Sequence, residues 1–94
     1  MNNKERNEIR KIGERVSDEI ESMLQEIQDM LQEYADNEQD KIDNLPDSLQ
    51  DGERANRMYE YIYALEGVCS DIDSVMDGVI DIAVAIKDIA DDNI

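Results

Sequence analysis

Residues 55–90 read ANRMYEYIYALEGVCSDIDSVMDGVIDIAVAIKDIA. An apolar side chain recurs there at alternating steps of three and four: Ala55, Met58, Ile62, Leu65, Cys69, Ile72, Met76, Val79, Ala83, Ile86 and Ala90. A strand would need a period of two, whereas this spacing keeps one stripe of an α-helix facing one way. Sustained over about five heptads, it is a coiled-coil seam, and its purpose is lengthwise packing on other helices.

A second row runs beside the seam at Tyr61, Val68, Val75, Ile82 and Ile89. It widens the apolar face to about three residues in seven, more than one partner helix covers. The surplus points to a homodimer forming a four-helix bundle, or to a groove on another protein. The residues expected to carry oligomerisation are Tyr61, Val68, Ile72, Val75, Val79, Ile82 and Ile89.

Upstream, Ile9, Ile12, Val16, Ile20, Met23 with Leu24, Ile27, Met30 with Leu31, and Tyr34 also recur at steps of three or four and specify a first amphipathic helix. Asn44-Leu45-Pro46 breaks it, because proline restricts the residue before it and offers no N–H to a helix interior. Ser48 with Asp51 reads as a weak capping box, Gly52 as turn or helix start, and Leu45 and Leu49 as a cover for the tip over Tyr34 or Met58. The expected architecture is all-α: a single helical-hairpin domain over 1–94, with a helix over about 3–44, a turn over 44–53 and a helix over about 53–92. Equal helices with a short connection fold back antiparallel.

Composition removes several functions. There is no histidine, the commonest general base and metal ligand, and no nucleophile–base pair can be drawn from one seam cysteine and a few serines. Cys69, on the seam, reads as a buried thiol. Asp71-Ile72-Asp73 with Asp77-Gly78 only superficially opens like a calcium loop, since Val75 and Met76 stand where a ligand and the glycine belong. The expectation is a non-enzyme with no cofactor and no metal. Met1-Asn2-Asn3-Lys4-Glu5-Arg6 is polar and no uncharged span of 18 residues occurs, so a cytoplasmic protein without membrane association is expected.

Charge is the other informative feature. The net charge is −16, yet residues 1–15 hold Lys4, Arg6, Arg10, Lys11 and Arg15 against Glu5, Glu8 and Glu14. Residues 16–53 hold thirteen acids and one base, Lys41. In an antiparallel hairpin the basic start lies beside Asp88, Asp91 and Asp92. Glu26, Asp29, Glu33, Asp36, Asp40 and Asp43 share one helix face over about 25 Å, a carboxylate every 4 to 5 Å of axis beside the roughly 3.4 Å between phosphates of one DNA strand. Solvation of a bundle's outside explains such a face; so does recognition of a basic protein surface, which the absence of intervening Lys or Arg favours. Direct binding of nucleic acid is disfavoured. The candidate partner-binding residues are these six acids and Tyr63, the outward member of the Tyr59, Tyr61, Tyr63 cluster.

The run Asp43-Asn44-Leu45-Pro46-Asp47-Ser48-Leu49-Gln50, followed by Gly52-Glu53, Met58, Ile62, Leu65-Glu66 and Ile72, resembles small acidic helical proteins of bacteriophages and prophages over about residues 34–80. Arg54 and Arg57 make the second helix less acidic at its start than that group's pattern. The resemblance implies a phage origin, a bacterial host cytoplasm, and an inhibitor of host nucleic-acid-handling systems of the restriction or CRISPR kind.

Overall fold

A computed structural model describes residues 1–92; residues 93 and 94, the end of the expected domain, lie outside it. The chain is an all-α helical hairpin. Helix α1 spans Asn3–Arg15, a π-helical segment Val16–Glu21, α2 Ser22–Asp43, a short 3-10 turn Asp47–Leu49, and α3 Glu53–Ala90. Asn2 caps α1, its Oδ1 accepting from the Glu5 N–H at 2.8 Å.

The break falls at the proline. Asn44 and Leu45 donate back to Asp40 and Ile42, the Leu49 N–H donates to the Pro46 carbonyl at 2.8 Å, and Gln50 Nε2 donates to the Leu45 carbonyl at 3.1 Å. Ser48 lies inside the 3-10 turn, so the capping box does not form; the Gly52 carbonyl instead accepts the Asn56 N–H and starts α3. Leu49 remains 48% exposed and leaves the tip open.

The helices pair in two units. In Ile27–Ile72, Ala35 and Ile42 of α2 bury against Ile62 of α3, with Met58, Tyr59 and Leu65 packed around them. Gln28 and Cys69 bond reciprocally: Gln28 Nε2 donates to the Cys69 carbonyl at 2.9 Å and the Cys69 thiol donates to the Gln28 carbonyl at 3.6 Å. A polar seam position is thereby satisfied, as burial requires. In the other unit, Met1–Glu26 with residues 73–92, Gly13 lies so close to α3 that a Cβ there would stand 2.9 Å from Ile86 Cγ2. Arg10 reaches Asp91 at 3.1 Å and the Ala90 carbonyl at 3.2 Å, and Arg6 reaches Asp92 at 3.8 Å, the pairing expected of the basic start.

All eleven seam residues of α3 are buried or half-buried. The first helix differs from its reading. Ile12, Ile20, Met23, Ile27, Met30 and Tyr34 are exposed, and the residues turned toward α3 include Arg10, Gly13, Ser17, Glu21, Leu24, Gln28, Leu31, Ala35, Glu38 and Ile42. The aliphatic seam of α3 already fills the space between the helices, so small or hydrogen-bonding residues fit opposite it and the bulky row turns outward. Along this inner row, Gly13, Ser17 and Glu21 follow at two consecutive steps of four where the alternation calls for a three. One residue is in excess, and the i→i+5 bonding of the π segment absorbs it.

Candidate protein-binding surfaces

Residues just before a seam position and residues just after one lie on opposite flanks of a helix. When two helices run antiparallel, the preceding residues of both fall on the same side of the pair. Three grooves bear this out. Within Ile27–Ile72, a groove of about 360 Å³ is lined by Tyr34, Asn37, Lys41 and Tyr61, all preceding residues, with Glu38 and Leu65 at its floor. Within the other unit, residues that follow a seam position line two grooves: Glu14, Asp18, Val84 and Lys87 line one of about 320 Å³, and Ser22, Gln25 and Ile80 border the other.

The preceding flank is apolar in each unit. In the unit of both chain ends it presents Ile9, Ile12, Val16, Ile20 and Met23 from the first helix and Val75, Ile82 and Ile89 from α3, and Glu5 is its single charge. Val75 is 54% exposed and Ile82 55%. In Ile27–Ile72 it presents Ile27, Met30, Tyr34, Tyr61 and Val68, with Lys41, Arg54 and Arg57 against Asp71. The expected oligomerisation set divides accordingly. Tyr61, Val68, Val75, Ile82 and Ile89 are exposed on this flank, while Ile72 is buried at 8% and Val79 half-buried, both on the seam inside the hairpin.

The following flank is acidic. In the unit of both chain ends it carries Glu14, Asp18, Asp73, Asp77 and Asp91 against Lys11 and Lys87, a net of −3. In Ile27–Ile72 it carries Asp29, Asp36, Asp43 and Glu66 with no base, a net of −4. Glu26, Glu33 and Asp40 lie behind it on the outer side of α2, and all six acids singled out in the sequence are exposed. Glu26 belongs to one unit and the other five to the other. Asp36 accepts from Gln32 Nε2 at 3.1 Å and Asp43 from Gln39 Nε2 at 3.0 Å, so neutral amides rather than bases hold these carboxylates. Tyr63, 67% exposed, joins this flank and stacks on Tyr59 with ring centroids 6.3 Å apart. Tyr59 packs on the core, and Tyr61 points to the other flank.

The exposed row Ile12, Ile20, Met23, Ile27, Met30 and Tyr34 was not foreseen as a surface. The signal was present: Ile12, Val16 and Ile20 carry the same two consecutive steps of four as the inner row one residue behind. Cys69 is a free, buried thiol. Among the described residues no cluster of His, Cys, Asp or Glu could hold a metal ion, and no helix is long and apolar enough to cross a membrane. In comparison with known proteins, the chain matches no family, no curated protein and no solved structure.

Proposed function

We propose that this chain is a non-enzymatic acidic protein-binding module, a phage-type inhibitor of the bacterial cytoplasm that covers the basic, nucleic-acid-facing surface of a host protein. The observation that supports it is the segregation of charge. Asp29, Glu33, Asp36, Asp40 and Asp43 of α2 form an exposed row in which Asp36 and Asp43 have amide partners. Lys41, paired with the half-buried Glu38 at 3.0 Å, Arg54 and Arg57 sit on the other flank of Ile27–Ile72. A row of fixed carboxylates desolvates Lys and Arg side chains much as phosphates do, and gives association that weakens steeply with salt.

The test compares the wild type with Glu33→Gln, Asp36→Asn and Asp40→Asn combined, each used to capture proteins from a bacterial lysate. The expected captured protein binds nucleic acid, is released by excess duplex DNA and by salt, and is held several-fold more weakly by the triple variant. Capture that survives all three would end this reading. A second reading, a homo-oligomeric scaffold or adaptor without mimicry, is favoured by a different observation: the exposed aliphatic side chains of the preceding flank.

A further inference from the structure

We infer that the apolar flank of the unit formed by Met1–Glu26 and residues 73–92 is a self-pairing surface, and that its occupant is a second copy of this chain. The first argument is exposure. Ile12, Ile20 and Met23 of the first helix and Val75, Ile82 and Ile89 of α3 are each 40–55% exposed on this one flank, a row of large aliphatic side chains of the kind that marks an interface.

The second argument is charge. A chain carrying −16 repels its own copy wherever acids face one another. On this flank the row of Ile12, Ile20, Met23, Val75, Ile82 and Ile89 includes one charge, Glu5, and the nearest acids, Glu8, Glu19, Asp81 and Asp88, stand at its margins. Two copies approach here at lower cost than across the acidic flank, where a net of −3 would face its own copy. A basic partner, by contrast, is drawn by the long-range field to the acidic flank and gains nothing electrostatic here.

Geometry supplies the third. Val75, Ile82 and Ile89 recur every seven residues, and Gly78 and Ala85 lie between them. A Cβ at Gly78 would meet nothing within 4 Å, so space for a neighbouring helix exists above it. Two such flanks related by a twofold axis present the same ridges and gaps to each other and build a four-helix bundle. Self-pairing leaves the acidic flank outward and does not depend on that flank's having a partner.

The experiment is molar mass by light scattering and sedimentation of the purified full chain from about 1 to 100 μM, a range that reads out micromolar self-association. The expected mass is twice 10.8 kDa. Two double variants then locate the surface: Val75→Glu with Ile82→Glu on the apolar flank, and Ile80→Glu with Val84→Glu, comparably exposed, on the opposite flank. The first should abolish the dimer, giving a monomer or an unfolded chain, and the second should leave it intact. Where the charged pair prevents folding, Val75→Ala with Ile82→Ala should raise the dimer dissociation constant about tenfold or more while the helical circular dichroism persists. A monomer throughout the range, a dimer broken only by the opposite-flank pair, or a flank that binds only an unrelated protein would each overturn the inference.

Discussion

The two units of the hairpin use the same pair of helices and hold them together by different means. In Ile27–Ile72, aliphatic side chains do the work: Ile42 and Ile62 bury almost completely beside Ala35, and the inner row keeps a regular alternation. In the unit of both chain ends, the first helix offers Gly13 to Ile86, two arginines to the aspartates at the end of α3, and a π segment where its spacing slips. Burial tolerates few changes of polarity but is indifferent to salt. Close approach and ion pairing are sensitive to one added methyl group and to the ionic medium.

The sharpest way to break this contrast is a charge in the aliphatic core. Ile62→Asp puts a carboxylate at a site 4% exposed, which costs about 3–5 kcal/mol and exceeds much of the stability of a small domain. Circular dichroism should show a largely unfolded chain at 25 °C; a folded variant with a normal melting curve would mean that Ile27–Ile72 does not rest on this cluster.

A pair of single-residue deletions examines the register. Removing Asp18 from the π segment restores the step of three between Ser17 and Glu21, so the melting temperature should hold or rise. Removing Gln32 turns one part of α2 by about 100° against the other and should cost several kcal/mol, because the inner row is cut in two. Equal losses would show that the π turn absorbs no excess residue.

Glycines distinguish the units more finely. Alanine at Gly13 gains helix propensity of about 1 kcal/mol, but its methyl group meets the stiff, branched Ile86 and overpacking costs roughly 1–3 kcal/mol, so a net loss is expected. Ile86→Ala in the same chain should recover part of it beyond simple addition. Gly67→Ala, with open space around it, should instead stabilise by about 0.5–1 kcal/mol. If both alanines stabilise alike, the helices are not closely apposed at Gly13.

The smallest effect comes from salt. Raising it from about 10 mM to 0.3 M screens the like charges along α2 and should increase the melting temperature by a few degrees. Hydrogen exchange in the same series should show the amides of Ile27–Ile72 gaining protection more than those near Arg6 and Arg10, whose ion pairs weaken. A uniform fall would contradict the unneutralised acidic row.

Much of this was legible from periodicity. The seam of α3, the two helices, the break at Pro46 and the approach of the basic start to Asp91 and Asp92 all follow from spacing and from what proline forbids, which are local properties. The acidic face of α2 was legible too, since exposed charges need only a helix to line them up.

What the tertiary structure alone decided is which of two adjacent rows of the first helix faces inward. Ile12, Ile20, Ile27 and Tyr34 form one row, and Gly13, Glu21, Gln28 and Ala35, one residue later, form the other. Hydrophobicity favours the first; the second won because α3 brings enough bulk of its own. Gly13 admits Ile86, and Gln28 closes two hydrogen bonds with Cys69. Amino-acid spacing determines that a helix has a face. Which face is buried depends on the volume and bonding of the helix opposite, and with it the aliphatic row left exposed to the outside.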